Sequence, residues 1–376
     1  MHKLEAFGRD FNGAFTAGQF DVCLFIAATV CEEVPTSSDA IRWFRHAYRA
    51  LAVDGTASRL GEFHDAVGVP LPLATVSLPT SVSGPESLKI DIVIPVHNGR
   101  HHLEACLASL IVELSHNIAN VVIVDDGSDG DTELFVRIYC DRNERFVYLR
   151  NDRSVGFTRA VSLGVQSGKS PFFVVLNSDT VVCEGWLEKL SSSMLASSKV
   201  GLVGAMSNAA AWQNLAEPVD DDGNYVRHSL SDYLEPSRVQ RCAADAWPPR
   251  SIESPLVHGF CALFDRNAYD LVGQLDQVSF PRGYGEFQDL SIRFWDAGYR
   301  PRVATDCFIG HVGAGSLDLK QRGELSTSGR MKLYEKHSAL RYLTFEAASI
   351  YSLPMRDFRK RFRQCYFNMT DPDALP

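Results

Sequence analysis

Two short runs limit what this chain can fold into: Val121-Val-Ile-Val-Asp-Asp-Gly-Ser128 and, further along, Phe172-Phe-Val-Val-Leu-Asn-Ser-Asp179. Each is too short for a helix, is rich in Val, and ends abruptly in acidic or amide side chains. A buried parallel strand reads as a continuous apolar run of this kind. One that ends in polar residues delivers them to the carboxyl edge of an α/β sheet, where open sheets bind their ligands. Carboxylates gathered there suit a phosphorylated ligand carrying Mg²⁺ or Mn²⁺, because these ions take oxygen ligands and phosphate charge needs neutralising.

The pattern continues on both sides. Ile90 to Val96 reads as a strand, His101 to Leu114 as a helix, Val121 to Val124 as a strand and Asp131 to Cys140 as a helix. Phe146 to Leu149 is a short strand, Gly156 to Val165 a helix, Phe172 to Leu176 a strand and Trp186 to Leu195 a helix. This alternation implies right-handed βαβ units and a mostly parallel sheet. From Ser207 to Pro255 it loosens into acidic, polar and aromatic residues, including Asp220-Asp-Asp-Gly223 and Trp247-Pro-Pro249. That stretch reads as a long excursion over the active face. Leu256 to Phe264 restores a strand, Glu286 to Ala297 a helix, and Arg302 to His311 a strand ending in polar residues; from Arg330 the chain is helical and increasingly basic.

The expected organisation has four parts. Residues 1–68 carry apolar side chains at helical spacing (Phe15, Phe20, Leu24, Ala27, then Ile41, Phe44, Ala47, Leu51), with N-cap candidates in Pro35-Thr-Ser-Ser-Asp39. They read as a helical hairpin, either a packing appendage or a module for a protein partner. Residues 69–88, rich in Pro, Ser and Thr, read as a linker. Residues 89–320 form the α/β domain, and 321–376 a helical, basic tail. In that tail Arg356, Arg359, Lys360, Arg361 and Arg363 alternate with Phe358, Phe362 and Tyr366. The pattern reads as a solvated helix face or a partner contact, with peripheral contact with anionic lipid as the alternative.

Composition narrows the class. With 376 residues and 45% hydrophobic content the chain can bury a large core. A net charge of -9 argues against nucleic acid as a partner. The nine cysteines are odd in number and show no CxxC spacing, so neither zinc nor a disulfide framework is expected, and a reducing cytoplasm fits. Met1 to Phe20 lacks a signal pattern, and the longest apolar runs fall short of the roughly eighteen residues that span a bilayer. A soluble cytoplasmic protein is expected, with the inner membrane face as a place of work.

Five motifs occur in order: Ile92-Val-Ile-Pro-Val-His-Asn98, Val124-Asp-Asp-Gly-Ser128, Gly156-Phe-Thr-Arg-Ala160, Leu176-Asn-Ser-Asp179 and Gly283-Tyr-Gly-Glu-Phe-Gln-Asp-Leu290. In this the chain resembles family 2 glycosyltransferases of the GT-A fold, and is most similar to the bacterial rhamnosyltransferase-like branch that builds surface polysaccharides. The resemblance covers about residues 89–316. It implies a nucleotide-diphospho-sugar transferase of α/β, Rossmann-like architecture. Such a protein is an inverting enzyme that moves a hexose or deoxyhexose from a UDP- or dTDP-linked donor to a glycan or lipid-linked glycan, assisted by Mg²⁺ or Mn²⁺.

The family's roles fall on particular residues. The nucleotide would be held by Pro95, Val96, Asn98, Asp125 and Asp126, where carboxylates accept hydrogen bonds from base N–H and ribose hydroxyls and Gly127 allows a tight turn. The two aspartates also suit a turn that caps the following helix. His97 stands where the family often has Tyr, and Ser162 where it has Asn. Arg159 is a candidate for a diphosphate or base contact, or a solvated helix-surface arginine. Asn177 occupies the first acidic position of the family's Asp-x-Asp motif. That leaves Asp179 to bind the cation, with His311, near Ser316, matching a downstream histidine that completes the metal shell. Glu286 and Asp289, three apart at a helix start, can share one face. One of them would deprotonate the acceptor. Phe287 replaces an acidic residue that is the base in several relatives, and Glu286 is preferred because Asp289 can also brace the helix.

Other classes fit less well. A catalytically silent nucleotide-sugar-binding or scaffold domain is the alternative that Phe287 and Asn177 leave open. A nucleotidylyltransferase would need a Gly-rich basic loop where Val96-His-Asn-Gly-Arg100 stands, and a dehydrogenase would need a G-x-G-x-x-G after the first strand.

Overall fold

A computed structural model describes residues 2–34, 37–53, 57–69, 88–220, 224–233, 235–247, 250–313 and 319–370. The stretch expected as a linker lies almost wholly outside these, as do Ser316 and parts of the Asp220–Gly223 and Trp247–Pro249 segments. Where the sequence suggests a hairpin the chain forms four helices, α1 (His2–Thr16), α2 (Phe20–Glu33), α3 (Ser38–Val53) and α4 (Ala57–Ala66). Phe11, Leu60 and Phe63 lie outside the two expected helices and bury side chains that recruit the extra ones.

The α/β part runs β1 (Ile90–Val96), α5 (Arg100–Val112), β2 (Ile118–Asp126), α6 (Gly130–Asp141), β3 (Phe146–Asn151), α7 (Phe157–Ser167), β4 (Phe172–Leu176), β5 (Thr180–Val181) and α8 (Trp186–Met194). It continues with β6 (Leu202–Met206), α9 (Pro236–Ala246), β7 (Ser251–Glu253), β8 (Cys261–Asp265), α10 (Arg266–Val272), α11 (Glu286–Asp296), β9 (Arg302–Phe308) and β10 (Gly310–His311). Three helices close the chain, α12 (Leu319–His337), α13 (Ala339–Tyr351) and α14 (Leu353–Thr370).

Eight strands form one sheet in the order β3-β2-β1-β4-β8-β6-β9-β7. The pairings β3-β2, β2-β1, β1-β4 and β6-β9 are parallel, while β8 and β7 run against their neighbours. The strand expected over Leu256 to Phe264 thus starts only at Cys261 and is antiparallel. The chain steps outward from β1 to β2 and β3, then returns to place β4 on the other side of β1. This reversal is a topological switch point, and the loops after β1 and β4 open a crevice there.

Alternate strand residues face opposite layers. Ile92, Ile94, Val121 and Ile123 pack with Leu103, Leu107, Trp186 and Leu190 from α5 and α8. Val93, Val122, Val124 and Phe173 pack with Ala160, Val161, Tyr269 and Phe294 from α7, α10 and α11. A further core joins both ends of the chain: Leu24, Phe44 and Tyr48 share it with Leu333, Leu343 and Phe345.

The basic tail is divided between the interior and the surface. Arg359 is buried and donates to the carbonyls of Asn214, Ile350 and Trp212 at 3.1, 2.7 and 2.6 Å. Phe358 and Phe362 are buried beside it, Arg356 bonds Ala52 O at 3.1 Å, and Arg363 pairs with Glu217. Lys360, Arg361 and Arg363 are exposed. Among the described residues no helix is long and apolar enough to cross a membrane.

Candidate active site

Backbone pairing brings the residues after β4 to those after β9. β5 and β10 are antiparallel with His311 opposite Thr180, and Val312 N–H donates to Asp179 O at 3.0 Å. His311 Nε2 then lies 3.3 Å from Asp179 Oδ1. His311 Nδ1 is 2.8 Å from the carbonyl of Ala209. A carbonyl only accepts, so Nδ1 carries a proton, which fixes the ring with Nε2 facing Asp179. Asn208, which the sequence reading did not select, grips the His311 backbone through both its amide oxygen (2.8 Å) and nitrogen (2.9 Å). Phe260 stacks on the ring at 5.3 Å. Burial pushes the Asp179 carboxyl upward, but the His311 hydrogen bond and charge and nearby His102 outweigh it and hold Asp179 ionised below its ordinary range.

This arrangement suits a divalent cation. Asp179 and His311 offer an oxygen and a nitrogen donor at one point, and the Oδ1 of Asn177, two residues before Asp179 in the chain, is buried without a hydrogen-bond partner. Such an atom is costly unless a ligand or bound water completes it. Among the described residues no group of three His, Cys, Asp or Glu gathers as a metal cage. A two-ligand site is what an ion shared with substrate phosphates requires.

At the ends of β1 and β2 the sequence-selected residues are brought together, and their polar side chains bond mainly to β3 and to the loops that follow β2 and β3. Pro95 and Val96 are buried in β1, opposite Val124 and Asp125. Asn98 adopts a left-handed conformation (φ 59°), takes Asp129 N–H on its Oδ1 at 2.8 Å and donates its own N–H to Ser128 Oγ at 2.9 Å. His97 Nδ1 reaches Asp126 O at 2.8 Å. Asp125 is fully buried, accepting from Ser128 N–H at 2.8 Å, Tyr148 at 3.0 Å and Arg150. Asp126 accepts from Asn151 (2.8 Å), Ser154 (2.8 Å), Val155 N–H (2.9 Å) and Gly156 N–H (2.9 Å). Burial would raise its pKa, and these donors more than reverse that. Asp126 thereby anchors the loop before α7. Arg159 is exposed on the first turn of α7.

That loop in turn positions the last motif. Gly156 has φ 99° and lies against the Pro281 carbonyl, where any Cβ would collide, and Thr158 donates to Phe280 O. Gly283, Tyr284 and Gly285 follow, all with positive φ (91°, 67° and 153°). Tyr284 is a non-glycine in a left-handed conformation, an uncommon arrangement that concentrates at functional sites. The sequence reading passed over it, and only its place between two glycines hints at its role.

Glu286 and Asp289 have opposite environments. Glu286 is 6% exposed and accepts Gly285 N–H at 3.0 Å. Burial, the largest influence, outweighs that bond and pushes its carboxyl up to about 7. Asp289 is also buried but meets Lys336 at 2.7 Å, His337 at 2.9 Å and Arg293 at 2.9 Å. Burial raises it, and these three partners together hold it below its ordinary range. Phe287 points away from the loop into the core, against Phe264 and over Gly259, which has no room for a side chain there. An acid at this position would be buried among aromatics.

Comparison with known proteins gives the same identity. The model of Glycosyl transferase family 2 matches residues 91–272. An N-acetylglucosaminyltransferase of Azorhizobium caulinodans is 26% identical over 72% of this chain and 70% of its own length. The pre-mycofactocin glycosyltransferase of Mycobacterium tuberculosis is 29% identical over 53% of this chain, which spans 43% of that protein. Among solved structures, a mannosyltransferase from Pyrobaculum calidifontis in complex with GDP-Man and Mn²⁺ superposes with a TM-score of 0.50 at 13% identity, covering 90% of this chain and 88% of the other. The last likeness speaks to fold alone and shows the GT-A architecture. Residues 91–272 are a family 2 glycosyltransferase domain, and the chain that carries it is a glycosyltransferase.

Proposed function

We propose that this glycosyltransferase inverts the anomeric centre, moving a hexosyl or deoxyhexosyl group from a UDP- or dTDP-linked donor to a hydroxyl of a glycan or lipid-linked glycan. The observation that carries the reading is Glu286, a buried carboxylate with its pKa raised to about 7 at the loop edge of the sheet. A general base works best with a pKa near the operating pH. Glu286 accepts the acceptor hydroxyl proton as that oxygen attacks the anomeric carbon, and the bond to the diphosphate breaks on the opposite side. Asp289, tied to Lys336, His337 and Arg293, braces α11 rather than taking the proton.

Asp179 and His311 would hold Mn²⁺ or Mg²⁺, with Asn177 meeting a ribose hydroxyl or a bound water; the imidazole favours Mn²⁺. The ion supplies positive charge to the departing nucleoside diphosphate. Pro95, Val96, Asn98, Asp125, Asp126 and Arg159 surround the nucleoside. The glycosyltransferase names of the relatives and the GDP-Man and Mn²⁺ of the structural neighbour support this donor class and this cation. The setting proposed is bacterial polysaccharide assembly at the cytoplasmic face of the membrane.

A panel of UDP-, dTDP- and GDP-sugars screened by thermal shift with and without Mn²⁺, followed by NMR of the product anomer, tests the reading. A bound donor raises apparent stability. A Mn²⁺-enhanced shift and an inverted product are expected. A product that keeps the donor's configuration would overturn the inverting mechanism.

A further inference from the structure

A histidine that belongs to none of the five motifs links the cation pair to the base. His258 lies between β7 and β8, where the pairing of β4 with β8 carries on past Leu176 and Cys261: Asn177 N–H donates to Phe260 O at 2.8 Å. That continuation brings the residues just before Phe260 alongside the Asn177–Asp179 segment. The His258 ring is 6.5 Å from that of His311, 5.8 Å from Phe260 and 5.9 Å from Trp212, which stands in the short turn Ala211–Gln213 after β6. Its backbone N–H donates to the amide oxygen of Gln213, whose amide nitrogen in turn bonds Ala205 O. On the other side Gly259 lies against the Phe287 ring, where any Cβ would collide, and Phe287 directly follows Glu286. One residue thus meets both halves of the candidate site.

Geometry also places the proton on this ring. Phe260 N–H donates to His258 Nδ1 at 3.3 Å. A nitrogen that accepts carries no proton, so the neutral ring bears its proton on Nε2. The hydrogen bonds of His258 use its backbone N–H and Nδ1, and its Nε2–H has no partner among the described residues although the side chain is half-buried. A donor so placed is costly unless a ligand or water completes it.

We propose that His258 is a specificity-determining residue for the transferred sugar, its Nε2–H donating to an oxygen of that sugar; this rests on the donor and inversion reading above. In a direct displacement the attacking and departing oxygens lie on opposite sides of the anomeric carbon. The sugar therefore spans the space between Glu286 and the Asp179–His311 pair, the two features that His258 joins. A neutral imidazole N–H only donates, so it accepts a hydroxyl, ring or acyl oxygen and discriminates against a sugar that turns a methylene toward it. A diphosphate oxygen offers the same acceptor chemistry. The sugar is favoured because the cation already meets the diphosphate, and because Gly259 ties His258 to the side of the crevice where the base begins α11.

Calorimetry in Mn²⁺ with UDP-glucose, UDP-N-acetylglucosamine, dTDP-rhamnose and GDP-mannose, each beside its free nucleoside diphosphate, tests this in the full chain. Wild type is compared with His258→Asn, whose amide oxygen still takes the Phe260 N–H but which ends short of Nε2, and with His258→Gln, whose amide reaches as far as Nε2. His258→Phe, which keeps the ring packing without an N–H, serves where the asparagine variant is unstable. For the sugar nucleotide that the wild type binds most tightly, His258→Asn should weaken binding by about three- to tenfold, the worth of a neutral hydrogen bond. The free diphosphate and its Mn²⁺ dependence should stay unchanged, and His258→Gln should recover part of the loss. Deoxy versions of that donor in a transfer assay locate the oxygen: its removal should lower kcat/KM of the wild type by a similar factor and that of His258→Asn no further. Equal losses for sugar nucleotide and free diphosphate would assign His258 to the diphosphate or the cation and overturn the proposal. Unchanged affinity and donor preference in folded variants would overturn it as well. A wild type that binds none of the diphosphates or sugar nucleotides removes the donor reading itself and this inference with it, a result distinct from either.

Discussion

His337 places its Nε2 2.9 Å from Oδ1 of Asp289, joining the last turn of α12 to the first turn of α11 three residues beyond Glu286. Lys336 reaches the same oxygen at 2.7 Å, and Arg293 the other at 2.9 Å. Two carboxylates on one helical turn are thereby separated in chemistry. Asp289 is fixed in its charged form as a brace, while burial leaves Glu286 able to gain and lose a proton near neutral pH.

The brace should show in stability. Asp289→Asn is expected to cost about 2–3 kcal/mol, the scale of lost charged hydrogen bonds. The Asp289 pKa is depressed in the folded state, so its contribution is complete above the unfolded value of 3.8 and is lost as pH falls below it. Glu286 has the opposite sign: its folded pKa of about 7 exceeds 4.5, so ionising it costs stability as pH rises between the two values. Chemical denaturation from pH 3 to 8 should show the Asp289→Asn deficit shrinking in acid. A well-folded Asp289→Asn whose turnover collapses would mean that the two roles are reversed.

The metal pair predicts a graded response. Asp179→Ala should abolish Mn²⁺-dependent strengthening of nucleoside-diphosphate binding while the fold persists, and His311→Ala should weaken it. Asn177→Asp, which puts a carboxylate where Oδ1 now lacks a partner, should tighten Mn²⁺. Calorimetric titration of the ion in the presence of UDP or dTDP reads all three. Undiminished Mn²⁺ dependence in Asp179→Ala would place the ion elsewhere.

Asp126 receives protein donors from residues 151, 154, 155 and 156. Asp126→Ala should therefore release the loop before α7 and weaken nucleotide with or without metal. Hydrogen exchange of Ser154 to Gly156, measured beside nucleotide affinity, reports both effects. A variant with wild-type exchange and wild-type affinity would assign Asp126 neither role.

Much of the fold was legible because buried strands announce themselves. The expected bounds of β1 and β4 coincide with those observed, since neither strand contains a polar break until its carboxyl end, apart from Asp91, which bonds Asn120 and Ser170 N–H. Direction was not legible: an apolar run such as Cys261–Asp265 looks the same whether it pairs parallel or antiparallel. The helix α9 was readable and passed over; Pro236 follows the N-cap Glu235, and Val239, Cys242, Ala243 and Ala246 repeat at helical spacing. Asn208 and His258 were not readable, because a motif records neighbours in sequence and these meet His311 only through the β5–β10 and β4–β8 pairings.

The N-terminal helices are tied to the rest by a buried ion pair. Arg45 lies 2.9 Å from Glu346, with both side chains 6% exposed, and its guanidinium stands 4.4 Å from the Tyr225 ring in the excursion after β6. Arg45→Ala strands a buried carboxylate and should cost about 3–5 kcal/mol. Arg45→Met with Glu346→Leu should cost less than either single change, because no charge is then left alone. A double-mutant cycle by denaturation measures the pair, and additive losses would show that the two do not act together.

The pH dependence of kcat/KM in wild type and Glu286→Gln tests the central claim most directly. The wild-type rate should rise with pH through about 7, the value to which burial lifts Glu286, and then level off. The variant keeps the size and the bond from Gly285 but takes no proton. Its rate should fall by roughly 10²- to 10⁴-fold and lose that acid limb, with nucleotide affinity near wild type. A Glu286→Gln enzyme that keeps both the wild-type rate and the inflection would show that another group removes the acceptor's proton.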